Sequence, residues 1–288
     1  MRSQPHAFQG RFGRAILFDA NSPVVEHAHA QCHVLFKCGG ADGYYTVQGR
    51  PIPFRDDTVV LLNPWVPHSN PRPCGASPTR ILALYLEPGW LAERGSASHR
   101  DLGGFAGPAG AIAPHMRGLA DRLAALMESA EPSDGRLADT LHDLVDEVLA
   151  DHCQAGTPAP DLSMMVDFRI RRALTYMRQV GSKEIRIGAL ARIAGLSRSR
   201  FFELFQVSTG MSPRVYLDTL CLDAAVGRLA DTESPIAAIS DELGFAVPAH
   251  FTRFFRQHTS VTPSAYRRAI QLRHGPNTAG TRQPPTLP

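Results

Sequence analysis

A chain of 288 residues, 43% hydrophobic and 20% charged, has the size and composition of a soluble globular protein with room for two domain cores. Five cysteines at irregular spacing, with no CxxC pair, exclude a disulfide framework and a zinc ribbon. The net charge of +3 is unevenly spread: residues 1–160 carry 13 Lys/Arg against 17 Asp/Glu (−4), and residues 161–270 carry 15 against 10 (+5). Positive charge gathered in the last third is what phosphate neutralisation requires of a nucleic-acid-binding module, although a solvated basic face would carry it too. The first residues, MRSQPHAFQGR, hold no apolar core of signal-peptide length, and no run approaches a membrane span. A cytoplasmic protein with reduced thiols and no membrane partner is therefore expected.

From about residue 14 to 88 the pattern is β-like. RAILFDA, HVLFKC, YYTVQ, TVVLLNP and TRILALYLEP are short apolar runs separated by the turn signals GGADG, QGRPIP and FRDD. Many short strands with Gly/Pro turns predict a barrel or sandwich. GGFAGPAG, 103–110, lacks the strand–turn–helix context of a phosphate loop and reads as a flexible joint. Over residues 115–152 the period changes. Leu119, Leu123 and Leu126, then Leu137, Leu141, Leu144, Val145, Val148 and Leu149, recur at three- and four-residue spacing on either side of EPSDG. These are two amphipathic helices, one stripe for the barrel and the other free to meet a second chain, which predicts a homodimer. QAGTPAPDLS, 154–163, is a linker by composition, and the segment 271–288 is too polar and Pro/Gly-rich to bury a core.

The C-terminal third repeats itself. Ile187, Ala189, Leu190 and Gly195 match Ile236, Ala238, Ile239 and Gly244 at an offset of 49. Phe201, Phe205, Pro213 and Tyr216 match Phe251, Phe255, Pro263 and Tyr266 at an offset of 50. Each copy reads as helix–turn–helix. Ser197 is placed to cap the second helix of the first copy, and Pro248 suits the first turn of its counterpart. Phe201, Leu204 and Phe205 should face inward, leaving Ser199, Arg200, Phe202 and Glu203 accessible. In the second copy Phe251, Phe254 and Phe255 should face inward, leaving Ala249, His250, Arg253 and Arg256 accessible. Between the copies, Pro213 opens a candidate helix of about 18 residues, roughly 27 Å long. It could hold two recognition helices near one DNA turn, about 34 Å, apart.

On these motifs, ISDELGFAVPAHFTRFFRQHTSVTPSAYRR above all and GLSRSRFFELFQVSTGMSPRVYL beside it, residues 165–270 resemble the DNA-binding domain of the AraC/XylS family of bacterial transcription regulators. The resemblance implies an α+β multidomain protein. Its parts would be a cupin-like β-barrel sensor (1–110), a helical dimerisation hairpin (111–153), a linker (154–163) and an all-α double helix–turn–helix domain (164–270). It also implies duplex DNA, a small-molecule effector and, for an activator, RNA polymerase as partners, with no cofactor required and a nucleoid-associated location. This chain departs from the family at Ser260, where glycine is usual, and along the linker helix, where Cys221, Ala224, Val226 and Gly227 replace frequent basic residues. Glu203 could accept from a cytosine amine or orient Arg200, and its residue type does not decide which.

The stretch EHAHAQCH places His27, His29 and His33 within seven positions, and PWVPHSN adds His68. This resembles the two-part histidine pattern of metal-binding cupins, with His33 where a glutamate is usual. In one unbroken strand the odd residues would share a face opposite the apolar Cys32, Val34, Phe36 and Cys38. Three readings follow: a divalent metal site on four imidazoles, a metal-free effector pocket, or a merely solvated face. A metal-dependent cupin enzyme or metal sensor is the alternative to a regulator. No HExxH, GxSxG or Walker motif supports catalysis.

Overall fold

The computed structural model describes residues 4–71, 77–97, 102–129, 133–155 and 166–271. Of the expected linker and tail, residues 156–163 and 272–288 lie outside these described residues.

The apolar runs form strands β1 (His6–Gly10), β2 (Gly13–Ala20), β3 (Val24–His27), β4 (Cys32–Gly40), β5 (Gly43–Val47), β6 (Arg50–Phe54), β7 (Thr58–Leu62), β8 (His68–Asn70) and β9 (Thr79–Leu86). Short strands β10 (Leu102–Phe105), β11 (Ala109–Ala111) and β12 (Cys153–Ala155) follow. They pair as a six-stranded sheet, β1-β2-β9-β4-β7-β11, a four-stranded sheet, β3-β8-β5-β6, and the pair β10-β12. The mixed α/β architecture is as expected, but no ladder among the described residues closes the two larger sheets into a barrel. The chain leaves the small sheet after His27, and β4 enters the large one at Cys32, where Val34 pairs with Leu84 and Leu61. The single strand expected across the histidines is therefore two strands in different sheets.

Both faces of the large sheet are buried, which explains why TVVLL and ILALYL read as continuous apolar runs. Val34, Phe36, Val59, Leu61, Leu82 and Leu84 face the hairpin of α2 (Pro114–Glu128) and α3 (Asp134–His152). Helix α1 (Pro88–Ala97) contributes Leu91 to the same core. Pro114 opens α2, and Ser133 caps α3 by accepting from Arg136 N at 3.5 Å. Leu137, Leu141, Leu144 and Val148 are all buried within the monomer. The leucines expected to have surplus apolar surface thus spend it on their own sheet, and Asp139 and Asp143 occupy the outer side of α3. GGFAGPAG is not a free joint. Its residues enter β10 and β11, and Asn63 clamps Phe105 by accepting from its N–H at 2.9 Å and donating to its carbonyl at 3.1 Å.

The C-terminal third is helical: α4 (Phe168–Val180), α5 (Ile187–Ile193), α6 (Arg198–Thr209), α7 (Pro213–Asp231), α8 (Ile236–Glu242), α9 (Pro248–Thr259) and α10 (Pro263–Gln271). No helix of the described residues is long and apolar enough to cross a membrane. The other face of the large sheet shares one core with these helices, from Ile16, Leu35 and Leu62 through Leu222 and Val226 to Phe251 and Phe255. A second shared core joins Ala28 and Trp65 to Phe201, Phe205 and Tyr216.

Candidate nucleic-acid interface and the buried histidine cluster

The two copies build the same local machine. In each, a glycine at positive φ, Gly195 (67°) or Gly244 (79°), turns the chain between the short helix and the longer one. At Gly244 a Cβ would lie 2.8 Å from atoms of Ser182 and Glu184, so no side chain fits there without displacing its neighbours. Ser197 caps α6 by accepting from Arg200 N at 3.3 Å, and Pro248 takes the first position of α9. The phenylalanines turn inward as expected: Phe201, Phe205, Phe251 and Phe255 are fully buried, and Phe254 nearly so. Leu204 is half-buried.

The expected reading residues mostly face solvent. Ser199, Arg200 and Glu203 on α6 are exposed, as are Ala249, His250, Arg253 and Arg256 on α9. Phe202 differs. It is half-buried, with its ring 6.3 Å from Phe201, so part of its surface supports the helix. Glu203 pairs with Arg200 at 3.2 Å, an exposed i,i+3 contact of the kind that contributes at most about 1 kcal/mol. In the unbound protein, then, Glu203 orients Arg200.

The histidines are not solvated. His27, His29, His33 and His68 are each nearly inaccessible, with at most 4% of their surface exposed. His27 and His68 are cross-strand partners in β3 and β8, with ring centroids 4.4 Å apart. His29 comes from the 28–31 connection and lies 5.2 Å from His68, while His33 on β4 stacks on Tyr85 at 4.1 Å. The solvated reading of this face is excluded because the C-terminal helices cover it, with His258 of α9 5.9 Å from His27. Burial holds the imidazoles of His27, His29 and His33 well below their usual range, and neighbouring imidazoles add to the effect. Burial pushes His68 down to about 4. Near neutral pH all four are uncharged and carry lone pairs.

Several residues at this joint escaped sequence reasoning. Thr219 Oγ1 of α7 accepts from Ala28 N at 3.2 Å, and Trp65 stacks on Tyr216 at 5.2 Å. Asp218 holds Lys183 and Arg214, and His258 Nε2 stands 4.0 Å from it. A cavity between the large sheet and α7, α9 and α10 is lined by Arg14, His29, Tyr85, Leu222, Thr259 and Tyr266, among others. Arg14, the lone cation in GRAILFDA, lies 4.0 Å over the Tyr85 ring. Its position among apolar residues was the one sequence signal available.

A helix-turn-helix domain family matches residues 190–269, across both copies. Residues 190–269 thus carry an AraC-type helix-turn-helix domain, and the relatives that share it are transcription regulators. The transcriptional activator NphR of Rhodococcus is 29% identical over 241 residues, covering 80% of this chain and 69% of NphR. An uncharacterised HTH-type transcriptional regulator of Haemophilus influenzae is 32% identical over 111 residues, covering 38% of this chain. That match spans only 37% of the Haemophilus protein, and the matches to LumQ of Photobacterium leiognathi and the lactose operon activator of Staphylococcus xylosus span 37% and 39% of theirs. Among solved structures, an apo form of a ToxT variant from Vibrio cholerae superimposes over 91% of this chain and 98% of its own, with a TM-score of 0.55 at 12% identity. The likeness to ToxT therefore covers the sheets as well as the helices and is one of fold.

Proposed function

We propose that this AraC-type protein binds duplex DNA sequence-specifically and regulates transcription in response to a small molecule held by its N-terminal sheets. One observation carries the reading. Two helices of one pattern, α6 and α9, present polar and cationic side chains outward from the ends of a shared helix. Helix α7, at 19 residues, is about 28 Å long, near the roughly 34 Å between successive major grooves on one face of DNA. Arg200 and Arg253 are assigned to base edges, with Ser199, Glu203, Ala249 and His250 beside them, and Arg256 to phosphate. Phe202 supports α6 and offers its remaining surface to a base methyl group.

The effector site is placed at the sheet–helix joint, where the cavity now has room for about one water and must widen to admit a larger molecule. Its Arg14 suits an anionic small molecule, and His29 reaches it from the cluster of His27, His33 and His68. ToxT has been captured with an unsaturated fatty acid, with a TM-score of 0.50 to this chain. The N-terminal sheets then act as a cupin-like sandwich, non-enzymatic and cytoplasmic. An activating role is supported by the activator names of relatives, and RNA polymerase is its proposed partner. Self-association belongs to the proposal through the polar outer faces of α2 and α3, since their leucines are used internally.

A gel-shift titration of the full chain on its own promoter tests the reading. Affinity should exceed that for unrelated duplex and fall steeply with salt. Arg256→Ala should weaken binding to every sequence and lower the salt slope by about 1. Equal affinity for promoter and competitor DNA would contradict specific recognition.

A further inference from the structure

The imidazole cluster presents a donor set whose ring nitrogens largely lack partners. One ring nitrogen from each of His27, His29 and His68 lies within 4.8 Å of the other two, and all three residues are buried. Both nitrogens of His29, both of His33 and Nε2 of His68 have no hydrogen-bond partner among the described residues. A buried polar atom left unpaired costs about 1–3 kcal/mol, and an ion held by His29 and His68 would satisfy one such atom of each.

The orientation of the rings is also specific. His27 Nδ1 lies 2.8 Å from Val25 O, and His68 Nδ1 lies 2.9 Å from Val66 O, each two residues back along the chain. Because a carbonyl can only accept, each bond fixes the hydrogen on Nδ1, which leaves Nε2 as the lone-pair nitrogen of the neutral ring. Ligating histidines are held in this way, one ring nitrogen donating to a carbonyl and the other facing the ion. The two strands that carry them are paired at His27 and His68, so their separation is set by the ladder.

We infer that His27, His29 and His68 form a binding site for one divalent first-row transition-metal ion, at the joint between the N-terminal sheets and the DNA-binding helices. Three neutral nitrogen donors suit zinc and its neighbours, which bind imidazole at about 2.0–2.1 Å for zinc. They do not suit calcium or magnesium, which require oxygen ligands. His33, whose ring is 5.0 Å from that of His29, and His258, 5.9 Å from His27, stand next to the site on opposite sides. An ion here ties β3, β8 and the 28–31 connection together, and that connection carries the Ala28–Thr219 hydrogen bond to α7.

The test uses full-length protein made without an affinity tag, stripped with a chelator, then equilibrated with zinc or cobalt(II) alone and desalted. Wild type should retain stoichiometric metal by elemental analysis, and the cobalt form should show visible d–d absorption. His29→Gln and His68→Gln should each weaken retention by about 10–100-fold or more. His142→Gln, on α3 and outside the cluster, should leave it unchanged. Circular dichroism and promoter binding of the stripped variants separate loss of a ligand from loss of the fold. Should His68→Gln fail to fold, His29→Gln carries the test, since His29 lies outside a strand. Absence of stoichiometric metal in wild type, or full retention in His29→Gln, overturns the site. Promoter binding without metal uptake would remove the site and leave the DNA-binding reading standing. Metal uptake without promoter binding would do the reverse.

Discussion

The two helix–turn–helix copies share their construction and differ in what surrounds it. Thr209 and Thr259 make identical closures, each donating to the carbonyl four residues back at 2.8 Å and lying 3.1 Å from that of Met211 or Val261. Ser212 and Thr262 then cap the next helix, each accepting a backbone N–H at 3.2 Å. The differences lie at the ends and on the outside. Ser197 caps α6 with its side chain, whereas Val247, in the same place before α9, makes no such bond. Helix α6 ends on Gly210 and α9 on Ser260, both left-handed. Outside, Arg200 is shared with Glu203, while none of Arg253, Arg256 and His250 forms an ion pair among the described residues. Duplication thus preserved the core and the closures and left the DNA-facing surface free to diverge. The second copy presents the more cationic outer face, and it alone carries a buried histidine, His258, against the N-terminal sheets.

If the cores are equivalent, Phe205→Ala and Phe255→Ala should each destabilise the protein by about 3–5 kcal/mol in urea unfolding. A much smaller loss for one would break the equivalence. The surfaces should respond unequally. Arg253→Ala should cost about 1–3 kcal/mol of discrimination at the base it contacts. Arg200→Ala should cost less, since Glu203 already engages that guanidinium, and competition binding to single-base operator variants measures both. Reversed ranks would assign the dominant reading to the first copy. The smallest effect concerns the helix ends. A non-glycine residue in the left-handed region is strained, and the Ser260 hydroxyl is buried without a partner among the described residues. Ser260→Gly should therefore stabilise by about 1 kcal/mol, and Gly210→Ser should destabilise by a similar amount. Thermal unfolding of the two swaps would show opposite signs. The same sign in both would remove strain at Ser260 as the cause.

The helical third was legible because its signals are local: a capping serine, turn glycines, a proline at a helix start and phenylalanines at helical spacing act within a few residues of one another. The unusual Ser260 was visible for the same reason. The histidines were not legible, because their surroundings come from far along the chain. EHAHAQCH alone left three readings open, a metal site, an effector pocket and a solvated face, and the burial that excludes the last is invisible in the stretch itself. Burial arises from β8, from α7 through Thr219 and from α9 through His258, more than 190 residues away for the last two. Leu141 and Leu144 misled in the opposite direction, since a leucine stripe does not say whether the sheet it covers belongs to its own chain. GGFAGPAG reads as a joint because Asn63, which clamps its Phe105, is 42 residues away.

The central claim is that one polypeptide reads two grooves with unequal copies. Hydroxyl-radical footprinting of the full-length protein on its promoter tests it directly. Two protected patches on one face of the duplex, about one helical turn apart, are predicted. Arg253→Ala should fade the patch assigned to α9 more than the other. A single protected patch, unchanged in extent by substitutions in one of the two helices, would contradict the account.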